Sequence, residues 1–377
     1  MANNKDKKIL NVPALRFPEF CGEWKEVKLS KVIKVQGGYA FKSELFQQSG
    51  VPIIRISNLP QNELFVNLND CVYYSEGNYH NFEVHKGDLL IAMSGATTGK
   101  TAIYNNNSIA YLNQRVGCFK VKSDLFYSFL YALVETKSFK NQLNKKLIAG
   151  AQPNISSFDI ESIKVTIPGL IEQQKIAKLI GLLNERIDTQ NKIIEKLETL
   201  IKGIIETVIS SQKPNTLIKN CLSCNSSTLQ ESQVAENGNF PVYGATGISG
   251  YTETADINGE SILIIKDGSG VGTVKFVTGE YSYIGTLNSL TVKDGYCLKY
   301  IYFALQGFSF EPYKTGMAIP HIYFKDYGKA KIYCPPYKLQ TIISQQLTYI
   351  ESKIDVEKRI LSNLARQKSY LLSQMFI

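Results

Sequence analysis

The chain is short of everything a catalytic centre is usually built from. Its 377 residues include three histidines and one tryptophan. His80, His85 and His321 stand apart from one another and from any serine, cysteine or carboxylate motif of nucleophilic or general acid–base catalysis. Seven cysteines, at 21, 71, 118, 221, 224, 297 and 334, fall at uneven spacings. Cys221-Leu-Ser-Cys224 is a lone CxxC, without the second ligand pair that structural zinc needs. An odd, unpatterned set of thiols suits a reducing cytoplasm better than a disulfide framework. No apolar run approaches the ~20 residues that span a bilayer. Met1–Lys8 is polar and basic, without the apolar stretch of a secretory signal. A cytoplasmic protein with no metal site and no membrane partner is therefore expected.

Two segments imitate catalytic motifs. Ser94-Gly-Ala-Thr-Thr-Gly-Lys-Thr101 has the ending of a phosphate-binding P-loop, but serine stands where the first glycine belongs. It reads better as a Gly-rich hairpin whose N–H groups and hydroxyls approach a phosphate backbone, or as a plain turn. Cys334-Pro-Pro-Tyr337 imitates the catalytic tetrapeptide of adenine-N6 methyltransferases. There the first residue must accept a hydrogen bond from an amino group, and cysteine is a weak acceptor. A helix-entry role is expected for it instead.

The sequence does have apolar content, 44%, with 22 Tyr and 18 Phe, enough for several cores. The net charge is +9, unevenly spread. Residues 1–168 carry 20 basic against 14 acidic side chains, and residues 211–334 carry 10 of each. A polyanion partner would meet the second segment through local clusters, or with help from another protein.

Above all, the chain is written twice. A proline-led amphipathic helix near the middle returns at the C-terminal end, 167 residues later. Pro168 matches Pro335, Gln173 matches Gln340, and Arg186-Ile-Asp188 matches Lys353-Ile-Asp355. The first apolar seam runs Ile176, Ile180, Leu183, Ile187, Gln190, Ile194, Leu197, Ile201, Ile204, Val208. The second runs Ile343, Leu347, Ile350, Ile354, Glu357, Leu361, Leu364, Lys368, Leu371, Met375. Both step by four and three without a break, with a polar residue in the same layer. A heptad seam of this length predicts a coiled coil. The simplest arrangement pairs the two helices antiparallel.

The order is thus a globular segment over 1–167, a long helix over 168–212, a second globular segment over 213–334, and a second helix over 335–377. The expected class is α+β, with two similar α/β domains separated by long antiparallel coiled-coil helices in a pseudo-two-fold repeat. Val51–Ser57, Asp88–Met93, Ser261–Lys266 and Thr273–Val277 read as strands, Leu125–Leu143 and Leu298–Gln306 as helices. The globular segments also echo one another. Leu90–Gly95 with Gly99 aligns with Leu263–Gly268 with Gly272, Leu112-Asn113 with Leu287-Asn288, and Gly150–Ile155 with Gly316–Ile322.

Amide, basic, hydroxyl and aromatic side chains gather on the Gly-rich loops. Amides pair bidentately with adenine, and lysine or arginine with guanine. The first candidate set is Gln36, Tyr39, Phe41, Lys42, Arg55, Asn58, Thr97, Thr98, Lys100, Gln114, Arg115, Lys145, Lys146, Gln152 and Asn154. The second is Tyr243, Thr246, Lys266, Ser269, Asn288, Lys314 and His321. Any single member could be an ordinary surface residue; the sets carry the argument.

Val12-Pro-Ala-Leu-Arg-Phe-Pro-Glu-Phe20 through Gly22-Glu-Trp24, Gln36–Lys42, Pro241–Gly247, Gly259–Ile264 and the helix entry Ile167-Pro168 with Gln173-Gln174 resemble the specificity subunits of type I restriction–modification systems. The resemblance covers nearly the whole chain. It implies that each globular unit is a target recognition domain reading one half of a split, asymmetric site in double-stranded DNA. It implies that the paired helices set the spacer and dock two methyltransferase subunits, and that two restriction subunits complete the complex. The subunit itself is then non-catalytic and binds no cofactor; S-adenosylmethionine, ATP and magnesium belong to its partners. The family offers no fixed base-reading residues to carry over. Two other readings remain: a stand-alone adenine-N6 DNA methyltransferase with its own recognition domain, and a coiled-coil scaffold that binds only protein.

Overall fold

In the computed structural model the described residues are 11–60, 64–148 and 154–377. By packing they form two units, residues 1–192 with 359–377, and residues 193–358. The packing units therefore cut through both long helices.

The first domain is built from short strands: β1 (Lys25–Lys28), β2 (Ile33–Gly37), β3 (Val51–Ile54), β4 (Val72–Tyr74), β5 (Glu83–Val84), β6 (Leu89–Ala92), β7 (Thr101–Ile103), β8 (Ala110–Leu112), β9 (Val116–Val121) and β10 (Lys164–Ile167). One antiparallel sheet has the order β2-β9-β6-β7, a second has β4-β3-β8-β5 with β3 and β8 parallel, and β1 pairs with β10. β6 is buried at every position, as its unbroken apolar run requires of a central strand.

The second domain repeats this with β11 (Thr216–Leu217), β12 (Leu222–Ser226), β13 (Phe240–Gly244), β14 (Gly247–Thr252), β15 (Ile257–Asn258), β16 (Ser261–Ile265), β17 (Val274–Val277), β18 (Glu280–Tyr283), β19 (Leu287–Val292) and β20 (Lys331–Ile332). The orders β12-β19-β16-β17, β14-β13-β18-β15 and β11-β20 match the first domain strand for strand. Register corrects one alignment. Ala92 pairs with Val116 and Ile265 with Leu287, so Leu287 corresponds to Val116 and Asn288 to Gly117, not to Leu112-Asn113.

The first long helix runs Leu170–Ile204 and continues as a π-helical turn, Ile205–Ser210; the second runs Tyr337–Gln374. Ile176, Ile180, Leu183 and Ile194 are buried, as are Ile343, Leu347, Ile354 and Leu364, while Ile187, Leu197, Ile350 and Leu361 are half-buried. The seam departs from its expected course at the end of the first helix. The π turn inserts a residue, so Ile205 and Ile209 are buried in place of Ile204 and Val208.

Each unit pairs the start of one long helix with the end of the other. In the first, Leu15 N–H donates to Gln374 C=O at 2.9 Å while neighbouring Arg16 holds Glu172 with two bonds of 2.7 Å. Phe376 stacks on Phe129 at 5.2 Å and meets Trp24 edge-on at 6.2 Å. In the second, Lys358 pairs with Glu198 at 2.7 Å. There the helix Leu298–Gln306 ends at Gly307 against Ile205 and Ser210, so closely that a Cβ on Gly307 would lie 2.4 Å from Ser210 Oγ. The helices therefore run antiparallel within each unit.

The helix entries use the same device, with one bond more in the first. Gln173, fully buried, accepts from Phe126 N–H at 2.7 Å and donates to Pro168 C=O at 2.8 Å and Asp124 C=O at 3.0 Å. Gln340 accepts from Cys297 N–H at 3.0 Å and donates to Pro335 C=O at 2.8 Å. The Cys334-Pro-Pro-Tyr segment accordingly serves helix entry, with Cys334 N–H donating to Asn215 Oδ1 at 2.8 Å. The single helix expected over Leu125–Leu143 is two, Tyr127–Glu135 and Lys137–Ile148. Thr136 breaks it: extended in backbone, its hydroxyl donates to Leu133 C=O at 2.8 Å and accepts from Phe139 N–H at 3.2 Å.

Candidate nucleic-acid interface

In each domain one run of backbone hydrogen bonds gathers three loops at one end of the sheets. In the first, Met93 N–H donates to Arg115 C=O and Met93 C=O accepts from Ile155 N–H, both at 2.9 Å. In the second, Lys266 N–H donates to Thr286 C=O at 3.0 Å and Lys266 C=O accepts from Ile322 N–H at 2.9 Å. The pairing of Ile155 with Ile322 expected from sequence therefore holds, and it places Asn154 and His321 at corresponding positions. The Gly-rich hairpins also correspond: Gly99 N–H bonds Ala92 C=O at 2.8 Å, and Gly272 N–H bonds Ile265 C=O at 2.9 Å. Gly95, Gly99, Gly268 and Gly272 all have positive φ, which a side chain would strain.

Around the first set of loops stand exposed Gln114, Arg115, Asn154 and Lys145, with Thr97, Thr98, Lys100 and Lys146 half-buried. Thr98 Oγ1 donates to Gly95 C=O at 2.6 Å, which fixes the turn. The buried Ser94 and Thr97 hydroxyls have no partner among the described residues. The helix Lys137–Ile148 rests on this hairpin, since a Cβ on Gly99 would lie 2.9 Å from Leu143 Cδ2. Tyr39 joins the loops by accepting from Gln114 N–H at 2.9 Å and donating to Leu112 C=O at 2.8 Å. Its ring, 42% exposed, tops an aromatic cluster with Phe41, Tyr79 and Phe82 at 5.0–5.4 Å. Such a ring is suited to stacking.

Several expected members face inward. Phe41 is buried and stacked on Tyr111 at 5.7 Å. Asn58 is buried, accepting from Arg55 N–H at 2.9 Å and donating to Asn67 C=O at 3.0 Å. Asn288 is buried in β19 and accepts from Ser226 Oγ at 2.8 Å. These three hold structure because their polar or aromatic groups are consumed inside the domain. Gln36 donates to Asn81 C=O, and Arg55 reaches Asp70 C=O at 2.9 Å while its Nε has no partner among the described residues. Lys42 is exposed beyond the aromatic cluster, and Gln152 lies outside the described residues.

In the second domain Thr246 and Ser269 are exposed; Tyr243, Lys266, Lys314 and His321 are half-buried. Lys314 is paired with Glu311, and His321 meets Tyr323 edge-on at 5.0 Å. Lys275 was not among the expected residues. Its ammonium lies 4.6 Å over the Tyr243 ring. It lies on the same face of β17 as Val277, two residues on, and is exposed where Val277 is buried. Among the described residues no group of His, Cys, Asp and Glu is placed to hold a metal, and no helix is long and apolar enough to cross a membrane.

A family model described as the type I restriction modification DNA specificity domain matches residues 22–199 and again residues 221–366. The chain belongs to this family, and the two matches coincide with the two structural repeats. It is 29% identical over 199 residues to the specificity subunit of type I restriction enzyme MjaVIII of Methanocaldococcus jannaschii, covering 50% of this chain and 46% of that protein. It is 26% identical over 200 residues to the EcoBI specificity subunit of Escherichia coli, covering 52% and 40%. The matched stretch thus spans less than half of either relative. The fold is that of a type I restriction–modification S subunit from M. genitalium, with a TM-score of 0.69 at 18% identity over 97% of this chain and 99% of that one.

Proposed function

We propose that this chain is the DNA sequence-specificity subunit of a type I restriction–modification complex. Each globular domain reads one half of a bipartite, asymmetric site. The observation that carries this is the repeat itself: one scaffold built twice, gathering the same three loops with different side chains. Met93, Arg115 and Asn154 stand in one domain, and Lys266, Thr286 and His321 at the corresponding places in the other. Direct readout needs such divergent polar groups on a rigid frame.

The helices supply the rest of the role. Leu182 and Tyr349 occupy the same register position and are 57% and 71% exposed; Ile193 and Ile360 repeat this at 37% and 36%. Apolar side chains exposed twice at matching positions suit two copies of one protein partner. Those partners are two methyltransferase subunits, with two restriction subunits added in the full complex. S-adenosylmethionine, ATP and magnesium act there, and this chain contributes position, not chemistry. The helix pair also fixes the spacer between half-sites.

The test is co-purification with the methyltransferase, followed by mapping of adenine methylation in cells with and without the gene. A two-to-one assembly and a split motif that vanishes with the gene are expected. Steady S-adenosylmethionine turnover by the pure chain, or an unchanged methylation map, would refute the proposal.

A further inference from the structure

The second domain contains a cavity of about 150 Å³ beside the β13–β14 turn. Leu263, Ile265 and Leu287 form its apolar floor, all buried; Tyr243, Thr246 and Lys275 stand at its sides. The first domain shows why the space is there. Its corresponding residues Leu90, Ala92 and Val116 pack in one cluster with Leu59, Val66 and Leu68, contributed by the connection between β3 and β4. That connection runs over residues 55–71. In the second domain the same connection is two residues, Ala245 and Thr246. With no segment to cover the floor, the cavity opens at the loop end of the domain.

Its chemistry is specific. A cavity of roughly 150 Å³ holds one six-membered ring. Tyr243 offers a face for stacking. Lys275 has no carboxylate partner among the described residues, and its ammonium rests 4.6 Å over that ring, ready to donate to an acceptor in its place. Thr246 adds a hydroxyl. The apolar floor suits a methyl group. A single ring that stacks, carries carbonyl acceptors and has a methyl at the opposite edge is thymine. Cytosine presents the same C2 carbonyl but has no methyl for the floor, and a purine adds a second ring.

We propose that this cavity receives one thymine swung out of the duplex in the half-site read by the second domain, an inference that rests on the DNA-reading role above. Extrusion costs stacking and pairing, least when the base is already mispaired.

The test uses the chain in complex with its methyltransferase, on duplexes bearing its methylated motif. Each thymine is replaced in turn by uracil, or set opposite a mismatched base. One thymine of the second domain's half-site should bind about fourfold more weakly as uracil, the worth of one buried methyl, and more tightly when mispaired. Thr273→Trp, which places a ring over the mouth, should abolish both effects, and Lys275→Ala should weaken binding roughly tenfold through the lost charged hydrogen bond. Continued reading of the other base pairs of the second domain's half-site shows that these variants fold. Specific binding without any such thymine, or a uracil effect that persists in Thr273→Trp, overturns the cavity while leaving the specificity role intact. Absence of any site-specific binding overturns both.

Discussion

The two globular domains share every strand pairing and differ almost only in what joins the strands. Leu59, buried, and Val66 and Leu68, half-buried, pack from the β3–β4 connection against the first domain's sheets, where the second has a two-residue turn and a cavity. The helix Lys137–Ile148 carries Lys137, Lys140, Lys145 and Lys146 and no acidic residue; near that place in the second domain is a single turn, Glu311–Tyr313. The charge imbalance seen in sequence, 20 to 14 against 10 to 10, is thus partly one inserted helix. Scaffold and reading surface are separable: hydrogen-bond ladders and buried apolar strands fix the first, and the connections are free to vary.

The largest expected effects break what the domains share. Phe376→Ala removes a ring packed on Trp24 and Phe129 and should cost the first unit about 3–5 kcal/mol, and Ile209→Ala should cost the second about 2–5 kcal/mol. Urea unfolding of each variant measures this, and a null effect of Phe376→Ala would contradict the pairing of each domain with the far helix. Next come the helix entries. Gln173→Ala removes three hydrogen bonds and Gln340→Ala two, each leaving one buried carbonyl without a partner at about 1–3 kcal/mol in the worst case, so Gln173→Ala should be the more damaging. Denaturation midpoints of the pair decide the order.

Smaller effects sharpen the contrast. Replacing Lys137, Lys140, Lys145 and Lys146 by Gln should lower the slope of log affinity against log salt by up to about 0.9 for each lysine that meets a phosphate. Titrations at several salt concentrations read this directly; an unchanged slope would remove the helix from the interface. The smallest difference is a cap. Ser156 caps Ser157–Glu161 reciprocally with Asp159, while Tyr323, its counterpart before Phe324–Tyr327, makes no side-chain cap. Ser156→Ala should cost about 1 kcal/mol. The Ser156 hydroxyl holds the Asp159 carboxyl below its ordinary value of 3.8. That stabilisation is present above the ordinary value and is lost as pH falls through the depressed one. Acid unfolding of Asp159→Asn should lack this contribution, and an acid profile identical to wild type would refute it.

Much of this was legible beforehand. The helix repeat, the Gly-rich hairpins and the match of Ile155 with Ile322 follow from spacing that backbone geometry imposes. The misreadings have physical causes. Period cannot show that Thr136 would end one helix and cap the next, nor that a π turn would move the seam to Ile205 and Ile209. Residue type cannot tell an exposed amide from one consumed inside a strand, so Asn58 and Asn288 looked like readers of bases. Lys275 was missed because its meaning depends on a cavity, and the cavity depends on a connection that is short.

The central claim is that two independent readers share one frame. The most direct measurement exchanges residues 20–160 for the matching domain of a relative and maps the methylated motif of the resulting complex. The account predicts that one half of the motif changes while the other half and the spacer stay as they were. A change in both halves, or in neither with the complex still active, would contradict it.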